Sequence, residues 1–418
     1  MTLIKTSLLT AISTVVKILA GFLINKIIAV YSGPSGLAVV GQLQNFITMS
    51  TTLSNGAIAQ GVVKYTAEYK STKEKQKIFS SSLIISLVSS FFVSLALISL
   101  SQYWSELILK DIKYESVFVV FGITIVLFSL NTILMSILNG QKEIKKYVIV
   151  NVVSSFFALV FISFLIIQLD LIGALYALVI NQSIVFFVTL AFVIKSKWFK
   201  LKHFKHGIDK DSFFKLGKFS LMAVTTVLTV PVSHLIVRNY MGESLGWDAA
   251  GYWQGIWYIS GAYLMVITTS LSVYYLPRLS EIKDKSELKK EVLVGYKLIM
   301  PIAIFLALSV YLLKEYIILI AFSESFMPMI DLFLWQLVGD VIKIASWLLG
   351  YITLAKAMTK TYISLEIFGS LSFIGLSIYF IDLYGLVGVT YAFSLNYAIY
   401  MFVLFFIYKR YVNENIIA

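Results

Sequence analysis

Gly173-Ala174-Leu175-Tyr176-Ala177-Leu178-Val179-Ile180-Asn181 is answered, near the end of the chain, by Gly388-Val389-Thr390-Tyr391-Ala392-Phe393-Ser394-Leu395-Asn396. Gly, Tyr, Ala and Asn recur at identical internal spacing, and an Asp-x-x-Gly accompanies each copy: Asp170 with Gly173, then Asp382 with Gly385. Two further matches keep nearly the same offset. Gly36, Gly41 and Gln44 stand against Gly246, Gly251 and Gln254, and Lys142 with Tyr147 stands against Lys356 with Tyr362. Three matches in chain order at one offset argue for two copies of one unit, and the substrate of such a protein belongs between the copies.

Of 418 residues, 59% are hydrophobic and 13% charged, and the mean hydropathy is +0.87. That is too little polar material to clothe a soluble globule, which places the chain in a bilayer. Apolar stretches of about 20 residues, enough to cross a roughly 30 Å hydrocarbon core as helices, recur throughout. Twelve are expected: 8–31, 36–63, 78–100, 116–138, 148–169, 173–194, 216–237, 249–276, 298–313, 331–355, 362–381 and 386–408. The first is interrupted by Lys17 and Lys26 and lacks a small-residue cleavage pattern, so it reads as a retained helix and not a signal peptide.

The net charge of +12 invites a nucleic-acid reading, but the basic residues cluster in alternate loops. Lys64 to Lys77, Lys142 to Lys146, Lys195 to Lys218, Arg278 to Lys297, Lys356 with Lys360, and Lys409 with Arg410 all fall on one side, with Lys5. The opposite loops hold Lys110, Lys113 and Lys314 among acids such as Glu106, Asp111, Asp170, Glu243 and Asp382. This is the positive-inside pattern, so both termini are expected in the cytoplasm and no nucleic-acid partner is expected. The chain has no cysteine and only three histidines. No thiolate site, His-based metal site or other cofactor is expected.

The polar stretch 195–215 separates an N-terminal six-helix lobe (1–194) from a C-terminal one (216–410), followed by a tail (411–418). Six crossings is an even number, so the repeats are parallel, related by an axis along the membrane normal, around a central cavity.

This all-α architecture resembles the multidrug/oligosaccharidyl-lipid/polysaccharide (MOP) exporter superfamily, with a MATE-like fold, and within it the Wzx-type flippases. The residues carrying the likeness are Lys5-Thr6-Ser7-Leu8 with Ser13, Thr14, Lys17 and Gly21; the turn Gly33-Pro34-Ser35-Gly36-Leu37; Gly61 to Tyr65; and the run from Asp331 to Lys343. The resemblance implies a cargo of undecaprenyl-diphosphate-linked oligosaccharide, an O-antigen unit or enterobacterial common antigen lipid. It also implies the inner membrane of a Gram-negative bacterium, and an O-antigen polymerase and chain-length regulator as partners.

Four cations lie within or at the ends of spans: Lys17, Lys26, Arg238 and Lys343. A cation at mid-bilayer costs about 2.5 to 3.5 kcal/mol on insertion scales, so one that is kept tends to face an interior. Lys17 lies on the order of 13 Å into its span, at 1.5 Å per residue. It shares a stripe with Thr10, Ser13, Gly21 and Asn25. That stripe reads as cavity lining or as one side of a buried pair. Counted from the glycine-rich turns, Arg238 holds in the second copy the place of Lys26, and the two either clasp an anionic headgroup or anchor at the interface. Pro231 is expected to kink the seventh span. His234 beyond it is a satisfied core residue or a proton carrier.

Asp340 and Lys343 are three apart on one face and are expected to form an ion pair, with Gln336 and Trp347 extending the stripe. Such a pair is either structural or releases Lys343 to an arriving anion. Glu366 is a second proton-carrier candidate, or pairs with Lys360. Gln44 and Gln254 suit glycan hydroxyls or interhelical bonds, and Trp257, with Tyr252, Trp253 and Tyr258, suits a sugar face or an interfacial belt.

The resulting expectation is a non-enzymatic flippase working by alternating access, with Lys17, Lys26, Arg238 and Lys343 on the diphosphate. No Gly-rich loop ending in Lys-Ser or Lys-Thr is present, which argues against ATP hydrolysis by this chain. Two rivals remain. A cation-coupled multidrug extruder would favour acids over lysines in its cavity. A membrane glycosyltransferase or polymerase would use Asp209-Lys210-Asp211 to hold a metal-bound sugar nucleotide.

Overall fold

The computed structural model describes residues 3–207, 209–356 and 358–413. The expected tail beyond Asn413, and the side chain of Thr10 in the Lys17 stripe, lie outside what is described. Among the described residues there is no strand. The helices are α1 (Leu3–Ser54), α2 (Ala59–Glu68), α3 (Thr72–Ser99), α4 (Ser101–Leu109), α5 (Glu115–Gly140), α6 (Ile144–Ile194) and α7 (Lys210–Leu245). They continue as α8 (Trp247–Ser270), α9 (Leu276–Glu281), α10 (Lys285–Leu312), α11 (Lys314–Ala321), α12 (Phe333–Ala355), α13 (Thr359–Tyr384) and α14 (Gly388–Asn413).

Seven helical stretches among the described residues are long and apolar enough to cross a membrane. Three of them run to 42, 51 and 55 residues. A crossing needs about 20, and each of the three is broken by one residue with non-helical torsions. The breaks fall at Gly33 (φ 65, ψ −168) in α1, at Asp170 (φ 52, ψ −141) in α6 and at Gly385 (φ 61, ψ −141) between α13 and α14. The expected spans 216–237 and 249–276 correspond to α7 and α8, which are not among the seven. Some side chains of both helices lie outside the described residues.

The internal repeat is legible in the backbone. A side-chain carbon on Gly173 would lie 2.0 Å from the carbonyl oxygen of Leu165, and one on Gly388 would lie 2.0 Å from that of Phe380. Upstream, the Gln141, Glu143 and Tyr147 amides donate to the carbonyls of Ile137, Leu138 and Glu143, and the Lys356, Met358 and Tyr362 amides donate to those of Ile352, Thr353 and Met358. One offset relates every pair. It sets Gln141, not Lys142, against Lys356, and Asp170 against Gly385. In the earlier match the positive-φ glycines are Gly33 and Gly246, so the expected pairing of Gly36 with Gly246 is displaced by one helical turn.

The chain divides into two compact units, Met1–Ser32 with Val39–Pro231, and Gly33–Ala38 with Val232–Ala418. In the first, Ile58, Val62, Ile78, Phe79, Ile133, Ile137 and Leu216 form a core. The stretch read as an inter-lobe linker packs onto it. Phe79 stacks on Phe204 (centroids 5.7 Å apart) and meets Trp198 edge-on at 5.6 Å, while the Ser80 hydroxyl donates to the Phe204 carbonyl at 3.1 Å. Asp209 caps α7, accepting from the Ser212 amide at 3.0 Å and its hydroxyl at 2.8 Å. The helix then runs unbroken through Pro231, and the unit boundary falls there.

In the second unit the core joins α8, α10, α12 and α14 through residues such as Leu264, Leu288, Ile344, Leu348 and Leu404. The short segment Gly33–Ala38 belongs to this unit: the Ser35 amide donates to Asp248 at 3.0 Å at the start of α8. Between α8 and α9 the chain winds as a π-helix over Leu271–Tyr275, one hydrogen bond wider than the flanking turns.

Candidate functional site

The second unit gathers most of the charged and aromatic residues singled out in the sequence. Lys343, on α12, projects its ammonium over four rings: Trp347 at 4.9 Å, Trp257 at 5.1 Å, Tyr397 at 5.5 Å and Phe393 at 5.8 Å. A cation over an aromatic face within about 6 Å is attracted by the ring quadrupole, by about 0.5 to 2 kcal/mol depending on desolvation. Three helices build the cage. Trp257 comes from α8, Trp347 lies one turn beyond Lys343 on α12, and Phe393 and Tyr397 are a turn apart on α14, inside and just after the repeated phrase.

The expected ion pair with Asp340 is not formed: among the described residues no carboxylate lies within 4.0 Å of the Lys343 ammonium. Asp340 is fully buried and turns the other way. Its Oδ2 accepts from the Ser260 hydroxyl at 2.6 Å and the Tyr263 hydroxyl at 2.8 Å, and its Oδ1 accepts from the Gln336 amide at 3.4 Å. Residues three apart on a helix share a face without having to touch. Here each side chain finds better partners on neighbouring helices.

Arg238 is 1% exposed, lies with its guanidinium carbon 5.3 Å from the centre of the Trp253 ring and donates to the Gln254 side-chain oxygen. His234, one turn earlier, packs its ring against Trp257 (4.4 Å), Trp253 (5.5 Å) and Phe373 (6.0 Å). Arg238, His234, Trp257 and Lys343 therefore form one chain of ring contacts across α7, α8 and α12. Within it the indole N–H groups of Trp253 and Trp257 are buried without a hydrogen-bond partner. Glu366, half-buried on α13, is within electrostatic reach of Tyr397 and Tyr400, and makes no ion pair with Lys360 among the described residues. The arrangement offers cations and N–H donors to an anion; no cluster of three metal-binding side chains occurs among the described residues.

Residues 3–283 match the model of the polysaccharide biosynthesis proteins. The chain belongs to that family. Among curated relatives of this polysaccharide biosynthesis family member are the Lipid III flippases of Escherichia coli (strain K12) and Shigella flexneri. Each is 30% identical over 403 residues, spanning 96% of this chain and 96% of the relative. Among solved structures, an inward-facing multidrug resistance MATE family transporter of the MOP superfamily has a TM-score of 0.81 at 14% identity, covering 96% of this chain and 98% of that one. The lipid II flippase MurJ in an inward closed conformation has a TM-score of 0.70 at 20% identity, covering 97% and 87%. The fold is thus MATE- and MurJ-like, and this family member is a multi-pass membrane protein and not an enzyme.

The remaining sequence candidates of this family member lie in the first unit. Lys17 is exposed, Lys26 half-buried and Asn25 buried on α1. Counting back from the positive-φ glycines, Lys26 stands seven residues before Gly33 as Asn239 stands before Gly246, and Arg238 matches Asn25. The expected equivalence of Lys26 and Arg238 is off by one residue. The same count sets Gln44 against Trp257, not Gln254. Asp209-Lys210-Asp211, the best support for an enzyme, is occupied by local structure. Asp209 caps α7 and bonds Lys77 at 2.9 Å, while Asp211 bonds Lys215 at 2.6 Å.

Ser260, Tyr263, Phe393 and Tyr397 were not anticipated. Ser260 follows Trp253 and Trp257 at helical spacing on one face of α8, which is a readable signal. Phe393 lies inside the repeated phrase, at the one position where Leu178 gives way to an aromatic residue in the second copy.

Proposed function

We propose that this chain moves an undecaprenyl-diphosphate-linked oligosaccharide from the cytoplasmic to the periplasmic leaflet of a bacterial inner membrane. The observation that carries the reading is the caged Lys343, a cation within a helix bundle, held by rings and indole edges in place of a carboxylate. A lysine with no carboxylate within 4.0 Å is available to an incoming anion, and a bare diphosphate cannot otherwise pass hydrocarbon. Arg238 extends the positive surface one step along α7. The Lipid III flippases at 30% identity support the class of cargo.

In this reading α1, α6 and the α13–α14 pair each cross twice, divided at Gly33, Asp170 and Gly385. With α3, α5, α7, α8, α10 and α12 the crossings number twelve, in two six-helix lobes about a central cavity, with both termini cytoplasmic. The lobes alternate access, with Lys17 and Lys26 contributed by the first. A membrane potential negative inside drives the anion outward by roughly 2.3 kcal/mol per uncompensated charge per 100 mV, and Asp340, Glu366 and His234 are the candidates for a counter-moving proton. An O-antigen polymerase and chain-length regulator would receive the product. The multidrug-extruder alternative needs an accessible carboxylate, and both oxygens of Asp340 are engaged by hydroxyl and amide donors.

The test is translocation of a fluorescent polyprenyl-diphosphate oligosaccharide in proteoliposomes, scored by accessibility to an external glycosidase. Wild-type protein is expected to expose the probe and Lys343→Met to slow it at least tenfold. Equal rates for the two proteins, or transport of cationic dyes in place of the probe, would overturn the reading.

A further inference from the structure

The first unit contains a partly open cavity of about 350 Å³ between α2, α5 and α6. That lies within the roughly 300 to 1,000 Å³ of small-ligand sites. Its lining carries no charged side chain, and it is rich in amides and hydroxyls. This sets it apart from the cationic, aromatic cluster of the second unit.

Several of the polar groups are not spent on each other. The side-chain amides of Gln60 and Asn139 and the hydroxyl of Tyr147 make no hydrogen bond within the described residues, although all three line the cavity. Asn151 uses its N–H on the Tyr147 carbonyl at 2.9 Å, which leaves its oxygen as an acceptor. A relay that starts behind the wall at Thr189 fixes one further donor. The Thr189 hydroxyl donates to Asn131 Oδ1 at 2.6 Å, and Asn131 Nδ2 donates to Gln182 Oε1 at 3.1 Å. Asn131 is 5% exposed and Thr189 fully buried, so the relay is rigid. With its oxygen occupied, Gln182 presents its N–H2 group to the cavity. Val63, Phe128 and Met135 supply apolar wall beside these groups.

We propose that this cup binds one uncharged, acetamido-bearing sugar ring of the carried glycan. An acetamido group offers one carbonyl acceptor and one N–H donor beside a methyl group. The cup offers amide N–H groups from Gln182 and Asn139, an acceptor from Asn151, and the apolar wall. A ring hydroxyl, both donor and acceptor, suits Gln60 and the Tyr147 hydroxyl. The absence of lining charge rejects the diphosphate, which would be buried there without a counter-ion. The inference rests on the flippase reading. Asn139 and Tyr147 flank the basic α5–α6 turn, so in the proposed topology the cup lies at the cytoplasmic end, where cargo is loaded.

The experiment uses the full chain in lipid nanodiscs and two probes, polyprenyl diphosphate bearing one N-acetylglucosamine and the same carrier without sugar. Wild type is expected to bind the sugar-bearing carrier about tenfold more tightly, the value of one to two neutral hydrogen bonds. Gln182→Leu is expected to erase that preference and leave the bare carrier's affinity unchanged. Tyr147→Phe, which removes a single oxygen, and Gln60→Leu, on an exposed position of α2, should each reduce it without affecting folding. Lys343→Met should weaken both carriers alike. Equal affinity of wild type for the two probes, or cup variants that weaken both equally, would overturn the sugar cup while leaving the flippase reading standing. Failure of both probes to bind wild type would overturn both.

Discussion

Asp170 and Gly385 occupy the same turn of two copies of one unit and share a backbone conformation, with ψ of −141 at both and φ of 52 and 61. This region of torsion space is nearly the preserve of glycine, and a residue with a β-carbon is strained there by about 1 to 3 kcal/mol. The second copy uses the residue that fits and the first does not. Asp170→Gly is therefore expected to stabilise the protein, and Gly385→Ala to destabilise it, each by about 1 to 3 kcal/mol. Thermal unfolding in nanodiscs checks both; a lower melting temperature for Asp170→Gly would mean that the carboxylate does more than fill a turn.

Three residues further on, Gly173 and Gly388 meet the backbone of the preceding helix, Leu165 and Phe380, at a point where a β-carbon would lie 2.0 Å from a carbonyl oxygen. Neither carbonyl can swing away without breaking its helix. Alanine at either position is expected to lower stability by more than the about 1 kcal/mol typical of a point substitution. Expression and thermal stability of Gly173→Ala and Gly388→Ala report the outcome, and the two should behave alike because the contact is the same in both copies.

These glycines explain why the repeat was legible: close approach demands a residue type, and the demand survives in both copies. The turn Gly33-Pro34-Ser35-Gly36 was read in the wrong register because it holds two glycines, and only torsion angles distinguish the one with positive φ. The expected equivalence of Lys26 and Arg238 misses by one residue, since Lys26 stands seven before Gly33 and Arg238 eight before Gly246. The presence of Lys343, Asp340, Trp257, His234 and Arg238 within helices was legible from their cost in a bilayer. Their partners were not. Spacing along α12 suggested that Asp340 and Lys343 meet, whereas the rings and hydroxyls that separate them arrive from α8 and α14, far away in sequence. The amide cup escaped notice because no single member of it is unusual.

Asp209 ties the start of α7 to α3. The hydrogen bond from Lys77, with those from the Ser212 amide and hydroxyl, holds its carboxyl down at about 2. A carboxylate with a depressed value stabilises the fold above its unfolded value, about 3.9, and loses that contribution as pH falls through about 2. Wild type is expected to lose stability between about pH 4 and pH 2 more steeply than Asp209→Asn, which has no proton to take up. At neutral pH the variant should be the less stable of the two. Parallel acid-unfolding curves would show that the Lys77 contact contributes nothing.

Lys343 distinguishes a structural charge from a working one. If it and Asp340 were a bound pair, removing either would strand the other, at about 3 to 5 kcal/mol. In the structure Asp340 keeps its Ser260, Tyr263 and Gln336 donors whatever stands at 343. Methionine at that position would still lay an unbranched chain among Trp257, Trp347, Phe393 and Tyr397. Lys343→Met is therefore expected to alter stability by no more than the cation–π contribution, about 0.5 to 2 kcal/mol, while translocation falls at least tenfold. Asp340→Asn should leave the cage intact. A large loss in Lys343→Met that Asp340→Asn repairs would show that the two residues meet in the membrane after all, and that the ammonium is neutralised before any anion reaches it.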